Sequence, residues 1–408
     1  MTNTLPVLTE MELHPIVSMA TLARIPHAQI QGMIAQMLAT TSDANLFMGL
    51  SQLLTIVGNA AFASEMQAKA FDRSLLYRVA GNPNPGIKLL ALMGPGDMLD
   101  NTPLDYLVEN SDIRLDILYI VPGKPLPATI PEHDVVIVAL CESDKNEQVM
   151  QMLEGMVKHW PRPVLNLPEC IRLCTRERIY QQLAAIPGLT MPPTIKLERQ
   201  ELERVIALEL PVTALFHGAC YPITIRPCNT HRGEGLSRVE NAAELAAYLD
   251  KAPEQEFHIS LYVDYRSADG LYRKARIALI DGLPYVCHLA ISEHWIVHYV
   301  SAKMDESSAK RADEADFMNG FETGFALRHR DALFAIGNRL GLDYVVIDCA
   351  ETTAGELLIF EIDNRGWVHA LDPVDLFSYK QAPMSELFAA FRRMLLKAKN
   401  SDGNPDKM

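Results

Sequence analysis

The sequence predicts an α+β protein that is divided into several domains. With 408 residues, the chain is longer than a single hydrophobic core usually organises. Three sequence patterns follow one another along the chain. The first is helical periodicity, the second is short apolar runs separated by helix or loop, and the third is mainly strands joined by turns. We therefore predict a helical N-terminal region, a small parallel α/β domain, two α+β lobes and a disordered polar tail. In that order they span 1–85, 86–165, 166–263, 264–398 and 399–408.

Composition and charge predict a soluble, cytoplasmic protein. Hydrophobic residues make up 49% of the chain, charged residues 22%, and the formal net charge is −14. This negative excess repels polyanions, so we do not expect a nucleic acid partner. We also expect no secretion signal and no membrane span, because the chain has neither a basic segment before an apolar core at its start nor a run of about 18 apolar residues. The seven scattered cysteines, an odd number, are expected to be reduced thiols.

Helical periodicity dominates residues 10–80, where strand signal is almost absent. Apolar side chains between residues 46 and 57 recur on one helical face. The segment GNPNPG at 81–86 ends this region, because Pro and Gly do not continue a helix.

Strands are predicted throughout the rest of the chain. Apolar runs with helix or loop between them indicate buried parallel strands at 87–94, 115–121 and 134–140. Helices are predicted at about 169–186 and 329–340, and Asp-Gly pairs at 269–270 and 281–282 fit hairpin turns. The later strands are predicted at 221–227, 256–263, 271–281, 283–291, 294–300, 342–350 and 356–363.

The segment IRPCNTHRGEGL at 225–236 has the features of a phosphate-binding loop. A strand ends at Arg226, and the following loop contains Arg232, Gly233 and Gly235. Glycine lets backbone N–H groups approach phosphate oxygens closely, and the arginines neutralise their charge. The alternative is a glycine-containing hairpin with exposed arginines.

Three carboxylates converge near the end of the chain. Asp348 ends one apolar strand, while Glu361 and Asp363 lie two apart on the next and therefore share a face. Such carboxylates repel one another unless a cation lies between them, and hard oxygen ligands suit magnesium on nucleotide phosphates. The alternative is that one acid is solvent-exposed at a strand end.

A basic strand and a histidine-rich segment precede these acids. Arg273, Lys274 and Arg276 lie on an otherwise apolar strand, which suits either a phosphate site or a solvated sheet face. His288 and His298 follow it, as substrate contacts or a base, or simply as partly buried strand histidines. The order EHxxxH around His294 argues against a zinc protease.

Together, in this order, these elements resemble the ATP-grasp superfamily over about residues 87–375. The texture is most similar to the branch of ribosomal-protein glutamate ligases and amino-acid ligases of peptide natural products. The resemblance implies an ATP-grasp fold, with nucleotide held between two α+β lobes, after a small α/β domain. It implies that ATP is bound by Arg176, Arg226, Thr230, Arg232, Gly233, Gly235, Tyr262, Val263 and Asp264. It assigns catalysis to Arg276 and His231, metal binding to Asp348, Glu361 and Asp363, and substrate contacts to Arg273, His288, His298 and Asn364.

The chain departs from the family pattern at three of these positions. Arg176 and Arg226 stand where lysine is usual, and Asp363 stands where asparagine is usual, with Asn364 next to it. Whether Asp363 or Asn364 is the last metal ligand therefore stays open.

The resemblance implies a carboxylate–amine ligase that uses ATP with magnesium or manganese. It would form an acyl phosphate, release ADP and phosphate, and join amino acids or extend a peptide. A homodimer is one arrangement, and the oligomeric state stays open. One alternative is a nucleotide-binding scaffold or regulatory protein without turnover. A carboxylase or phosphoribosyl-type ligase is another, although no biotin or ribose-phosphate motif supports it. The sequence leaves open the donor, the acceptor, the number of additions and the role of the N-terminal helices.

Overall fold

Four β-sheets and the helices around them make up the part of the protein that the structure describes. The computed structural model describes residues 7–40, 43–81, 84–216, 218, 220–228, 230 and 233–401. Within that part of the chain, none of the helices combines the length and the apolar character needed to cross a membrane.

The first part of the chain forms a layered α/β unit. Its strands are β1 (Val7–Thr9), β2 (His14–Ile16), β3 (Leu76–Val79), β4 (Ile87–Met93), β5 (Ile113–Tyr119), β6 (Thr129–Pro131), β7 (Val135–Val138) and β8 (Val164–Leu165). Its helices are α1 (Met19–Leu22), α2 (His27–Thr40), α3 (Ala44–Ile56), α4 (Ala60–Phe71), α5 (Leu104–Leu107) and α6 (Glu147–Val157), with a 3₁₀ turn at Asp144–Asn146.

Six of these strands form one sheet in the order β2-β3-β5-β4-β7-β8. All neighbours are parallel except β3 and β5, which are antiparallel, while β1 and β6 pair separately. Both faces of β7 are buried and nearly all of β4 is, as expected when helices cover a parallel sheet. The strands predicted at 87–94, 115–121 and 134–140 are confirmed.

The near absence of strands predicted for residues 10–80 is wrong. Helix α3 confirms the periodicity between residues 46 and 57, but β2 and β3 extend the same sheet that holds β4 and β5. The helices at the N-terminus are therefore integrated with the α/β unit. Strands of three and four residues are too short to display a period of two, so their partners in the sheet decide their conformation.

The middle of the chain forms a four-stranded antiparallel sheet with its own apolar core. Its strands lie in the order β10-β13-β11-β12, and its core includes Leu202, Ile225 and Phe257. The elements are α7 (Pro168–Ile171), α8 (Arg176–Leu183), β9 (Leu189–Thr190), β10 (Thr194–Glu198), α9 (Arg199–Ile206), α10 (Val212–Leu215), β11 (Ile223–Pro227), β12 (Ser237–Val239), α11 (Ala242–Leu249) and β13 (Glu256–Leu261).

The helix predicted at 169–186 is divided into α7 and α8. A 3₁₀ turn at Arg172–Cys174 separates them, and the Thr175 side chain then accepts a hydrogen bond from the Arg178 N–H as the N-cap of α8. This new helix start brings Arg176 into the first turn of α8.

The last part of the chain forms a five-stranded sheet in the order β15-β14-β16-β17-β9. Its strands are antiparallel except for β9, which runs parallel to β17. The new elements are β14 (Tyr272–Ile280), β15 (Leu283–Ser292), α12 (Ser308–Asn319), α13 (Phe325–Arg328), α14 (Arg330–Leu340), β16 (Tyr344–Glu351), β17 (Leu357–Asp363), a 3₁₀ turn at Ser378–Lys380 and α15 (Gln381–Ser401).

Two predictions for this part fail and one turn is confirmed. Asp281 and Gly282 both have positive φ, 50° and 77°, as a two-residue hairpin turn between β14 and β15 requires. The strand predicted at 294–300 is instead irregular, because its apolar side chains pack around a cavity rather than in a sheet. The predicted disordered tail begins too early. Helix α15 continues to Ser401, and within its last turn Lys399 pairs with Asp134 at 3.0 Å. Residues 402–408 lie outside the described part.

Candidate active site

A cavity of about 820 Å³ lies between the antiparallel sheet and the five-stranded sheet. Thr224 and Arg226 of β11 line it from one side, and Asp348 of β16 and Glu361 of β17 line it from the other. Leu99, from the loop after β4, reaches it from the α/β unit. The cavity is therefore enclosed by elements that are far apart in the sequence.

Four polar side chains form a row across the five-stranded sheet. His288 of β15 is opposite Arg276 of β14, Arg276 is opposite Asp348, and Asp348 is opposite Glu361. Residues directly opposite one another in antiparallel strands share a face, and all four line the cavity. We refer to these four residues as the central row.

Asp348 is the most buried acid in this row. Its side chain accepts hydrogen bonds from Arg276 Nε at 2.8 Å and Nη2 at 3.1 Å, and from Lys274 Nζ at 2.8 Å. Although burial alone would raise the pKa of Asp348, the two cations hold it well below its usual range. Asp348 is therefore ionised and fixes both cations in the cavity.

Glu361 and Asp363 are paired with two other arginines. Arg176 Nη2 donates to Glu361 Oε1 at 2.9 Å, and Arg365 Nε donates to Asp363 Oδ2 at 3.1 Å. Burial would raise the pKa of Glu361, but Arg176 and Arg365 lower it. Burial and the charge of Glu361 raise the pKa of Asp363. Sequence reasoning missed Arg365, although it stands directly after the acidic motif.

Positive charge exceeds negative charge around these acids. Among the described residues, five Lys or Arg side chains and the three carboxylates Asp348, Glu361 and Asp363 line this part of the cavity. The excess is therefore two positive charges. The cations are Arg176, Arg226, Lys274, Arg276 and Arg365. Burial, and the charge of Arg176, lower the pKa of Arg226 to about 10, which still leaves it charged near neutral pH. A polyphosphate anion would relieve this mutual repulsion.

Aromatic and apolar side chains line the cavity at the end of β13. Tyr262 and Val263 lie there, and the Tyr262 and Trp295 rings meet edge to face with centroids 5.6 Å apart. Phe360 and Met191 add apolar surface. A flat heterocycle such as adenine suits a slot of this kind.

The two predicted loop glycines have positive φ and closely packed surroundings. Gly233 has φ 71°, and a Cβ placed on it would lie 2.5 Å from His298 Nε2. Gly235 has φ 67°, and its Cβ would lie 2.6 Å from Pro227 Cδ. Only glycine fits both positions without strain. Arg226 donates from its guanidinium to Thr230, which lines a smaller adjoining cavity of about 200 Å³.

Not every predicted site residue lies at the cavity. His231 and Arg232 are outside the described residues. Five of the described ones do not line the cavity of 820 Å³, namely Thr230, Gly235, Asp264, Arg273 and Asn364.

These positions have physical reasons. Arg273 alternates with Lys274 along β14, so it points to the opposite face, where it pairs with Asp269 at 2.7 Å and Asp313 at 2.8 Å. Asp264 is exposed, and its side chain accepts from the Arg266 N–H at 3.0 Å instead of facing a ribose position.

Asn364 turns away from the acids toward the α/β unit. Its side-chain Nδ2 donates to the Leu140 carbonyl at 3.0 Å, in a buried position. Asp363 lines the cavity and Asn364 does not, so position favours Asp363 as the last oxygen donor.

The three acids match the donor chemistry of magnesium, but they are not arranged as a cage. Asp348, Glu361 and Asp363 offer hard carboxylate oxygens on one face of the sheet. In the part of the chain that the structure describes, no three acidic, histidine or cysteine side chains are positioned to hold an ion by themselves. A divalent cation would therefore bind here in company with phosphate oxygens.

Comparisons with known proteins give structural resemblance at low identity. No protein-family model and no curated protein matches the sequence. Similar solved structures include a D-alanine–D-alanine ligase from Bacillus anthracis complexed with ATP (14% identity, 78% of this chain and 99% of that one, TM-score 0.43).

Two further structures have similar scores. A RimK domain protein ATP-grasp from Sphaerobacter thermophilus has 14% identity, covers 76% of this chain and 99% of that one, and has a TM-score of 0.44. The VanG D-Ala:D-Ser ligase from Enterococcus faecalis has 12% identity, the same coverage and a TM-score of 0.45. One of these three is described as ATP-grasp. Because the TM-scores lie below 0.5, the proposals that follow depend on this chain's own residues.

Proposed function

We propose that this protein is an ATP-dependent carboxylate–amine ligase that forms an amide bond through an acyl phosphate and releases ADP and phosphate. The observation that carries the proposal is that one cavity contains both an apolar slot and, next to it, a cluster of five cations and three carboxylates. A nucleoside triphosphate has a flat apolar base and a polyanionic phosphate chain. The apolar slot suits the base, and the cluster of cations suits the phosphates.

The chain's residues take roles from their positions. Tyr262 and Val263 would contact adenine, while Arg176 and Arg226 would bind phosphates. Asp348, Glu361 and Asp363 would hold magnesium, which supplies charge neutralisation and Lewis acidity when bound. Arg276 would bind the oxygen atoms of the transferring phosphoryl and acyl groups, since its guanidinium is fixed by Asp348.

The reaction needs an activated acid and a free amine. A donor carboxylate oxygen attacks the γ-phosphorus and ADP leaves. The amine nitrogen then attacks the acyl carbon, a C–N bond forms, and the C–O bond to phosphate breaks. Burial, with Arg276 and Lys380 nearby, lowers the pKa of His288 well below its usual range. This neutral imidazole in the central row is suited to accept the proton that the amine must lose.

The experiment is a search for substrate-dependent ADP release. Purified protein is incubated with ATP, magnesium and pairs of amino acids, ADP is measured by a coupled assay, and products are identified by mass spectrometry. We expect at least one pair to give ADP and an amide in equal amounts. With donor carboxylate labelled with ¹⁸O, one labelled oxygen should appear in the released phosphate. Amide formation without that transfer would contradict the acyl phosphate.

A second candidate is a nucleotide-binding protein without turnover. It is favoured by the pairing of all three acids with cations of the chain, which leaves no carboxylate cage for metal among the described residues. This candidate predicts tight ATP binding with no ADP release for any substrate pair. Measuring binding by calorimetry next to turnover separates the two functions.

A further inference from the structure

The cavity continues past His288 to a buried group of charged and hydroxyl side chains. The His288 ring lies 4.6 Å from the Tyr299 ring, measured between centroids. Tyr299 and Asp372 both line the cavity. Behind them lie Glu314 and Lys380, which are 0% and 4% exposed. We refer to these last four residues as the acidic end.

Glu314 is saturated by groups of the chain. Its Oε1 accepts from the Leu289 N–H at 3.0 Å, and its Oε2 accepts from Tyr299 Oη at 2.9 Å and Tyr379 Oη at 2.7 Å. Lys380 Nζ adds an ion pair at 3.3 Å. Glu314 therefore has no capacity left for a ligand, and it orients Tyr299 beside the cavity.

Lys380 is saturated in the same way. Its ammonium donates to Asp372 Oδ2 at 2.8 Å and to the Tyr299 hydroxyl, and it pairs with Glu314. An ammonium has three donors, and all three are directed inward. Lys380 is thus a fixed structural cation and does not face a substrate.

The acidic end consequently carries an excess of one negative charge. Glu314 and Asp372 are two carboxylates, and Lys380 is a single cation. A buried charge without a counterion is costly, so this end favours a cation. The available acceptor is Asp372 Oδ1, which takes no hydrogen bond from any described residue and belongs to a side chain that is 23% exposed.

We propose that Asp372 binds the protonated amine of the acceptor substrate, so that the acceptor is a small molecule that enters as an ammonium cation. This assignment rests on the proposed ligase function and deepens it. His288 is opposite Arg276 and its ring contacts Tyr299, which Lys380 links to Asp372. An ammonium at Asp372 and an acyl group at Arg276 would therefore lie on opposite sides of His288 and Tyr299. The opposite charge excess at the two ends directs the triphosphate to one end and the amine to the other.

The test separates the two half-reactions. Hydroxylamine is uncharged near neutral pH and traps an acyl phosphate as a hydroxamate without needing an ammonium site. Hydroxamate formation from ATP and each amino acid is measured for the wild type, for Asp372→Asn and for Asp375→Asn. Asp375 is exposed and does not line the cavity, so it is the matched control.

The expected result is a loss of affinity for the acceptor amine alone. Asp372→Asn should form hydroxamate at the wild-type rate, with unchanged KM for ATP and for the donor, while KM for the acceptor amine rises about 10- to 100-fold. Asp375→Asn should match the wild type throughout. Asp372→Glu should recover part of the lost affinity, because it restores the charge.

Three outcomes overturn the inference. An unchanged acceptor KM in Asp372→Asn overturns it while the ligase function stands. A rise in donor KM assigns the ammonium to the donor instead and also overturns it. Absence of hydroxamate in the wild type with every donor overturns the ligase function together with the inference.

A measurement on the wild type alone guards against misfolding of the variant. Tetramethylammonium, a cation without a nucleophilic lone pair, should compete with the amine, whereas the neutral tert-butanol should not. Equal inhibition by both probes, or by neither, would count against an anionic amine site.

Discussion

The two ends of the cavity differ in charge and in how that charge is held. Around the central row, five cations exceed three carboxylates, and each acid is paired with Arg or Lys. At the acidic end, two carboxylates exceed one lysine, and tyrosine hydroxyls satisfy the buried acid. A charged side chain held by ion pairs alone is left uncompensated when its partner is lost. Glu314 also accepts from two tyrosine hydroxyls and a backbone N–H, so it depends less on its ion pair with Lys380.

This difference indicates how the cavity distinguishes its ligands. A polyanion is stabilised by the excess of positive charge and loses that stabilisation if the cations are displaced. At the proposed amine site, a substrate ammonium would be stabilised by one carboxylate oxygen and would depend on Asp372 alone.

Replacing Asp348 by alanine should have the largest effect, because it leaves Lys274 and Arg276 buried without a counterion. We expect the free energy of unfolding to fall by about 3 to 5 kcal/mol and kcat to fall by roughly 10³-fold. Urea denaturation and ADP release measure these changes. Asp331→Ala is the control, since its side chain is 91% exposed and its ion pair is with its neighbour Arg330. Equal effects of the two variants would contradict the paired-cation arrangement.

Arg276→Lys should keep the positive charge and lose its geometry. The guanidinium donates hydrogen bonds to both carboxylate oxygens of Asp348 and to the Trp367 carbonyl at 3.1 Å. The ammonium of a lysine cannot reproduce this planar set of three donors. We expect kcat to fall by about 10²-fold, with ATP affinity nearly retained.

Arg273→Lys is the matched control for that variant. It lies on the same strand but on the opposite face, paired with Asp269 and Asp313. Steady-state kinetics should find Arg273→Lys close to the wild type. A comparable loss in both variants would mean that strand integrity, rather than the cavity guanidinium, controls turnover.

Gly233→Ala should lower kcat/KM for ATP by about tenfold, equivalent to roughly 1.4 kcal/mol. The added methyl group meets His298 Nε2, and the backbone has φ 71°. Gly270→Ala has the same backbone penalty, with φ 85°, but open space around it. Gly270 does not line the cavity, so Gly270→Ala tests whether backbone strain away from the site is enough to lower kcat/KM for ATP. His298→Ala in the Gly233→Ala background should restore part of the loss, and failure to do so would exclude that contact.

Much of the five-stranded sheet was predictable because its strands are long and its polar residues have period two. The sequence placed Asp348, Glu361 and Asp363 on one face, and all three line the cavity. The same rule, applied to Arg273, would have excluded it, since residues 273 and 274 point to opposite faces. The pairing of each acid with an arginine or lysine was not predictable, because Arg176 lies 185 positions from Glu361.

No pattern in the sequence indicated that the acidic end would form. Glu314, Asp372 and Lys380 lie on separate elements and belong to no spacing pattern, so only tertiary packing brings them together. The short strands β2 and β3 were missed for a similar reason, since distant partners determine them. Arg365 is different, because it directly follows the acidic motif and its proximity to Asp363 could have been anticipated.

The smallest expected effect is a displacement of a pH profile, and it concerns the residue between the two ends. Burial lowers the pKa of His288, and the charges of Arg276 and Lys380 lower it further. The ordinary pKa of histidine is about 6.5. The neutral, proton-accepting form should therefore persist below that pH, and kcat for amide formation should stay level as pH falls through about 6.5.

The measurement is kcat against pH with saturating amine, next to hydroxamate formation over the same range. Hydroxylamine itself becomes protonated in the acidic part of this range, so the concentration of its free base is held constant at every pH. Because the free base has no ammonium proton to lose before it attacks, its profile should then lack the acidic limb that His288 gives to amide formation. His288→Gln should remove that limb and lower amide formation by roughly 10²-fold, while hydroxamate formation changes little. If the limb lay at or above about 6.5, or survived in His288→Gln, the proton would be taken by another group. The central row and the acidic end would then be linked by side-chain packing alone.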